Sequence, residues 1–305
     1  MKLAELAPPQ VGYNYAFLDE HAKREVRRSL LKAVALPGYQ VPYASREVPM
    51  ARGWGTGGLQ VTLAIIGEGD TLKVIDQGAD DSVNAVNLRR FVVRMTGVAT
   101  TTDALAASVI QSRHRVPEEK LRAGQTLVLQ VPLPDPFSYL EPSRTVASEL
   151  HAEGEYALLW LRLYEDIALR GEVLSGADHP VLVHGHYVMA PSPIPRYDLA
   201  ALHQAEHLTL LSAGREKRLY AVPPHTDVLP LAFDDVPFDI ERQPGWVCAQ
   251  SGETRGFMTE LPQEGGEARQ VLSDTGYLEK LLRRKRGETV SIGELRPNRL
   301  AEPYD

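Results

Sequence analysis

Several short clusters in this chain hold residue types that could do chemistry. The first is Gly53-Trp54-Gly55-Thr56-Gly57-Gly58-Leu59-Gln60, with four glycines in six residues. Such a stretch surrenders backbone order unless the main chain must take φ > 0 or lie against a ligand. Successive amides in a turn of this kind form an anion-binding nest that suits a phosphate. The spacing lacks the strand-before, helix-after context of a dinucleotide fingerprint, so a tight hairpin turn is the competing reading. In Arg113-His114-Arg115, two guanidiniums that bind phosphate bidentately flank an imidazole that can add a proton or a donor. An exposed polar turn fits those three residues equally well. His184 and His186 are expected to share one face of a strand, but no third ligand for a metal is evident. His203-Gln204-Ala205-Glu206-His207, on an expected helix, matches the His-x-x-Glu-His pattern of inverted zincins. An ordinary amphipathic surface helix gives the same five residues.

The elements that must position these clusters are legible in outline. Leu18, Ala22, Val26, Leu30 and Ala33 recur at helical spacing, Asp19 is placed to cap, and Pro37-Gly38 stops the helix. The glycine stretch reads as a turn followed by a strand, Leu59 to Ile66, then a second strand at 72–76 and a polar loop, Gln77 to Asp81. Residues 84–98 are mixed, and Asp103 is expected to cap a short helix reaching Ile110. Alternation of Leu127, Leu129, Val131 and Leu133 predicts a strand at 126–133 with Gln130 on its opposite face. Tyr156, Leu159, Leu163 and Ile167 stripe a long helix from Thr145 to Arg170, ended by Gly171. A strand at 181–188, a basic turn at 214–218 feeding a strand, a Gly-rich hairpin and a helix from about Asp274 to Arg286 complete the chain. The composition changes at Gln243-Pro244-Gly245, which predicts an α/β core over 1–243 and a small lobe over 244–305.

Composition narrows the classes. At 305 residues, with 43% hydrophobic and 24% charged residues, the chain is ordinary for a globular protein of one large core or two domains. No run of eighteen apolar residues exists, and the first ten residues lack a signal pattern. A net charge of −7 argues against nonspecific nucleic-acid binding. The single cysteine, Cys248, rules out an internal disulfide and makes the cytoplasm the expected compartment.

Taken in order, these stretches resemble one family, the J subunit of the bacterial carbon–phosphorus lyase core complex. The resemblance rests on Gly12-Tyr13-Asn14, on Lys32 through Pro42, and on Gly53 through Gly58. It continues in Val74 through Asp81, Arg113-His114-Arg115, Leu163 through Ala168, Ser192 through Pro195, and Gly214 through Pro224. It implies a mixed-sheet α/β core with flanking helices and a small C-terminal cluster-type lobe. It also implies a cytoplasmic complex with G, H and I subunits. The implied reaction is radical cleavage of α-D-ribose 1-methylphosphonate 5-phosphate to ribose 1,2-cyclic phosphate 5-phosphate and methane. That reaction uses S-adenosylmethionine and a [4Fe–4S] cluster. Matched residue by residue, the glycyl-radical position falls on Gly38. Substrate contacts fall on Gly55, Thr56, Gly57, Gly58, Gln60, Arg113, His114 and Gln130, with Tyr164 nearby. The basic turns at 113–115 and 215–218 would form a charged seam with an I-type subunit.

The chain departs from the family in the C-terminal lobe. Of four family cysteines, three for the cluster and one for radical relay, the first matches Cys248. The others fall on Ser251, Leu272 and Leu278. A [4Fe–4S] cluster takes thiolates; serine is a poor substitute and leucine no ligand at all. The expectation is a homologue that keeps the pocket and the partner surface while cluster and adenosylmethionine are absent or not bound in the standard way. An active lyase with another electron source, a purely structural subunit and a zinc hydrolase are the alternatives.

Overall fold

The computed structural model describes residues 18–38, 41–42, 56–131, 181–188, 198–213, 218–230, 245–263 and 266–295, with Ser143 and Ile194. A seven-stranded mixed sheet organises the described chain. Its strands are β1 (Val41–Pro42), β2 (Thr71–Asp76), β3 (Ala99–Thr100), β4 (Val109–Arg113), β5 (Thr126–Val131), β8 (Leu208–Ala213) and β9 (Arg218–Val222). They lie in the order β1-β9-β8-β5-β4-β2-β3. The central strands β2, β4, β5 and β8 are parallel, and β9 runs antiparallel at one side. Strands buried on both faces read as near-continuous apolar runs, as Leu127-Val128-Leu129 does.

One face carries three helices, α1 (Glu20–Ala35), α2 (Thr56–Ile65) and α3 (Val83–Thr96). Val74, Val128 and Leu210 from the strands pack there with Val26, Leu30, Leu59, Leu63 and Phe91. The predicted first helix is present: Asp19 Oδ1 accepts from the Ala22 amide at 2.7 Å, and Ala22, Val26, Leu30 and Ala33 face inward. The other face buries Ile75, Ile110, Leu129, Leu211 and Tyr220. It is covered by the loop after β4, by a one-turn helix α4 (Leu199–Leu202), and by the small sheet of β6 (Val181–Val183), β7 (His186–Val188) and β10 (Val228–Pro230).

The C-terminal lobe is the hairpin β11 (Met258–Gln263) and β12 (Gly266–Leu272) followed by α5 (Thr275–Lys285). Asp274 caps α5 by accepting from the Tyr277 amide at 3.1 Å. The lobe is stitched to the core by buried polar contacts. The Glu118 amide donates to Asp274 at 2.6 Å, the Asp80 amide to Thr275 Oγ1 at 2.8 Å, and Lys280 Nζ to Glu119 at 2.7 Å.

Several expectations fail for identifiable reasons. Residues 59–66 are not a strand: most of them belong to α2. An apolar run without alternation cannot be told from a helix apolar all round, which is what a helix buried between the sheet and two other helices becomes. The stretch read as mixed, 84–98, is mostly α3, capped by Ser82 and ended by Gly97 at φ 71°. The short helix up to Ile110 is replaced by an Asx turn at Asp103, whose Oδ1 accepts from the Leu105 amide at 2.9 Å, and by β4. The strand 181–188 is a hairpin that turns at His184-Gly185. His184, at φ 51°, is therefore in the turn and does not share a strand face with His186. The helix expected to carry His203 to His207 ends at Leu202. Predicted strands at 72–76, 126–133 and 219–222, the glycine-rich hairpin and the last helix are present within a few residues of their expected bounds. The long helix at 145–170, most of the 214–218 turn and the boundary near 243 lie outside the described residues.

Candidate phosphate site at the carboxyl edge of the sheet

The parallel strands end in polar residues. In register across four strands, Asp76 stands beside Arg113, Arg113 beside Gln130, and Gln130 beside Ser212. All four fall on the helix-bearing face, because each lies two residues beyond an apolar or buried residue of that face, Val74, Gln111, Val128 and Leu210. The carboxyl ends of parallel strands are where open α/β sheets bind ligands. The amino-terminal turn of α2 lies over this row, since a Cβ built on Gly58 would sit 2.8 Å from Gln130 Oε1 and 3.0 Å from Gln130 Cβ. A methyl group at 58 would therefore have to displace the Gln130 side chain.

Charges and orphaned polar atoms define what the row can do. Arg113 Nη2 donates to Asp76 Oδ2 at 2.8 Å and its Nε donates to Asp76 Oδ1. Among the described residues, Gln130 Nε2 and Ser212 Oγ are buried without a hydrogen-bond partner, and so is Gln111 Oε1 one row below. Buried polar groups seldom stay unpaired, so the row presents unused donors beneath a helix N-terminus whose first amides also lack intrahelical partners. A phosphate or phosphonate oxygen answers both needs. His114, at φ 73°, follows Arg113, and its amide donates to the Gln130 carbonyl at 2.9 Å. Burial and the Arg113 and Arg115 guanidiniums push its imidazole down to about 4, against the opposing pull of Asp76. A neutral imidazole at this edge can donate or accept a hydrogen bond without adding a charge.

The arginine pair does not form the open anion grip expected from the sequence. Arg113 is tied to Asp76, and Arg115 lies over the Phe257 ring at 3.1 Å, joining core to lobe. Gly58 lies against Gln130, Arg113 stands beside it and the His114 amide bonds its carbonyl, whereas Gln60, fully buried in α2, is two residues on from Gly58 and so on a different side of the helix. Thr56 and Gly57 open α2; Gly55 and Tyr164 lie outside the described residues. Gly38, buried at φ 80°, leads toward β1, whose Val41 stands beside Leu219 at the level of Ser212. Sequence reasoning missed Asp76 as the partner of Arg113, and it missed Ser212. A polar residue at the end of each apolar strand was the available signal.

The lobe adjoins this edge. The Gln77 amide donates to the Arg113 carbonyl at 3.1 Å. Gly78, at φ 88°, packs so closely that an added Cβ would lie 2.5 Å from the Ser273 carbonyl oxygen. Ser273 follows Leu272, one of the positions matched to a cluster cysteine. Cys248, Leu272 and Leu278 share one buried cluster with Met258 and Tyr277. The Ser251 amide points to Cys248 Sγ at 3.5 Å. Burial alone would raise the Cys248 thiol, but the Ser251 hydroxyl and the amides of Leu272, Ser251 and Gln250 hold it below its ordinary value. The four positions therefore offer one thiol, one hydroxyl and two alkyl groups. That donor set does not fit a [4Fe–4S] cluster.

The zincin pattern also loses its geometry. His203 is the C-terminal cap of α4 and Gln204 turns the chain at φ 51°, so His203 and His207 share no helical face. No helix among the described residues is long and apolar enough to cross a membrane.

A family model described as phosphonate metabolism protein PhnJ matches residues 11–284. The chain belongs to this family. A relative from Rhizobium meliloti (strain 1021), named alpha-D-ribose 1-methylphosphonate 5-phosphate C-P-lyase, is 52% identical over 271 residues. That match covers 88% of this chain and 90% of the relative. The Escherichia coli (strain K12) protein of the same name is 50% identical over 269 residues, 87% of this chain and 95% of that protein. The resemblance read from the sequence motifs is thus shown, and with it an α/β mixed-sheet member of a phosphonate-metabolism lyase family.

Proposed function

We propose that this PhnJ-family chain binds α-D-ribose 1-methylphosphonate 5-phosphate, or a closely related phosphorylated ribose, at the carboxyl edge of its sheet. We propose further that it does so as a cytoplasmic subunit beside I-, G- and H-type partners, without carrying the iron–sulfur radical chemistry itself. The observation that supports the pocket is the row Asp76–Arg113–Gln130–Ser212 under the α2 N-terminus, with unpaired buried donors at Gln130 and Ser212. Asp76 takes Arg113 Nε and Nη2 and orients the guanidinium, whose Nη1 is the donor proposed for the ligand. The neutral His114 imidazole would give or take a hydrogen bond at the ligand's edge.

The donor set at Cys248, Ser251, Leu272 and Leu278 supports the second half of the reading. Cys248 is 1% exposed, so a ligand from another chain could reach it only if the lobe opened. Calorimetric titration with the phosphorylated substrate, in the presence of an I-type subunit, tests the pocket. Arg113→Ala is expected to weaken binding about ten- to hundredfold, as for loss of a hydrogen bond to a charged group, while Cys248→Ser leaves it unchanged. Loss of binding in Cys248→Ser with normal binding in Arg113→Ala would place the pocket in the wrong half of the chain. After anaerobic reconstitution with iron and sulfide the protein is expected to stay colourless. Several irons per chain together with cleavage of adenosylmethionine would refute the loss of radical chemistry.

A further inference from the structure

At the other end of the sheet from the polar row lies a cavity of about 230 Å³. Val116, Leu121, Ala201 and Ala205 wall it, and His203 and His207 reach it. His207 immediately precedes β8, so it sits at that strand's amino end. At about 3.3 Å per residue it is roughly 16 Å from Ser212, well outside the phosphate site. The volume equals roughly eight liquid-water volumes, enough for a molecule of about ten heavy atoms.

His207 is 3% exposed, and among the described residues neither ring nitrogen has a hydrogen-bond partner. Leaving both unpaired in a buried site is costly, and the cavity is the space from which a partner can come. Burial pushes the imidazole down to about 4, with the Glu206 carboxylate only partly opposing it. At neutral pH the ring therefore offers one donor and one acceptor. His203 Nδ1 accepts from the Val228 amide at 3.1 Å, so its Nε2 carries the proton and is a second donor. That bond also removes His203 Nδ1 as a metal ligand. Among the described residues no group of three His, Cys, Asp or Glu side chains is placed to hold a metal.

The backbone around the cavity is fixed. The Gln204 amide donates to the Thr226 carbonyl at 2.9 Å and the His225 amide to the Ala205 carbonyl at 2.8 Å. Lys120 at the rim lies 3.5 Å from Glu206 and 3.7 Å from Glu294, so its ammonium already faces two carboxylates. An anion entering here would meet an excess of acid. An uncharged ligand would not.

We propose that this cavity binds a small uncharged hydroxyl compound, its apolar body against Leu121, Ala201 and Ala205 and its hydroxyl exchanging hydrogen bonds with His207. The inference does not depend on the phosphate site. Phenol serves as the probe, with fluorobenzene as the isostere lacking the hydroxyl and benzoate as the charged comparison. In the full-length chain with ¹⁵N-labelled histidine, phenol is expected to shift the His207 ring nitrogens saturably. Fluorobenzene should bind about tenfold more weakly, the loss expected for one hydrogen bond, and benzoate more weakly than phenol. His207→Leu should remove the preference for phenol over fluorobenzene, and Ala201→Phe should abolish binding by filling the cavity. The proposal is overturned if the His207 nitrogens do not shift saturably, if fluorobenzene or benzoate matches phenol, or if Ala201→Phe binds phenol as the parent does.

Discussion

Gly58→Ala separates a helix residue from a ligand-site residue, because the two roles predict opposite outcomes. In the first turn of α2 an added methyl would ordinarily favour the helix, by about 1 kcal/mol in an interior position. Here that methyl would lie 2.8 Å from Gln130 Oε1 and 3.0 Å from Gln130 Cβ. The amide end can swing away, but the Cβ is fixed to β5, which is paired on both sides. Overpacking of this kind costs about 1–3 kcal/mol, so the expected net change is a loss of roughly 0–2 kcal/mol. The larger effect falls on the ligand. Displacing Gln130 removes the unpaired Nε2 donor from the row, and a hydrogen bond to a charged group is worth about 1.5–3 kcal/mol, or ten- to hundredfold in affinity. Urea unfolding and calorimetric titration with the phosphorylated ribose measure the two quantities on one preparation. A variant that gains about 1 kcal/mol of stability and binds as the parent does would refute the placement of Gln130 at the ligand.

Two further outcomes concern the lobe and pH. Lys280 is buried between Glu119 and Asp103, with Glu119 2% exposed, so Lys280→Met leaves a buried carboxylate without its cation. Urea unfolding should register a loss of about 3–5 kcal/mol; a change below about 1 kcal/mol would mean the lobe is held by its apolar contacts alone. His207 titrates near 4 when folded against 6.5 for a free histidine, so the unfolded chain takes up the proton first. Its contribution to stability is complete above pH 6.5 and is lost progressively as the pH falls toward 4. Asp80, raised to about 6 mainly by burial, works in the opposite sense, stabilising at low pH and losing that contribution as the pH rises through 6. Comparing the parent with His207→Leu cancels the Asp80 effect. Between pH 7 and pH 5 the variant should be spared a loss of about 2 kcal/mol, and parallel stability profiles would refute the buried neutral imidazole.

The sequence by itself determined the family, the α/β class, the strands β2, β5 and β9 of the main sheet, and the C-terminal hairpin. Apolar alternation at 126–133, the cap-and-stop signals around 19–38 and 274–286, and ordered motif blocks are local facts that survive without a fold. It also determined the donor set of the lobe, because serine and leucine have no thiolate wherever they are placed. Tertiary structure decided the state of apolar runs without a period. Most of Leu59 to Ile66 became helix because that segment is buried between the sheet and two other helices, and burial removes the amphipathic signal that would have announced it. Arg113 passed from a free anion grip to a partner of Asp76 because parallel pairing sets two strand ends, 37 residues apart in the chain, side by side. Ser212 joined Gln130 for the same reason. In His203 to His207 the five-residue pattern was present while the helix it needs was not, since Gln204 turns the chain at φ 51°. Residue type and local spacing are written in the chain; which side chains meet is set by strand register, which no short window contains.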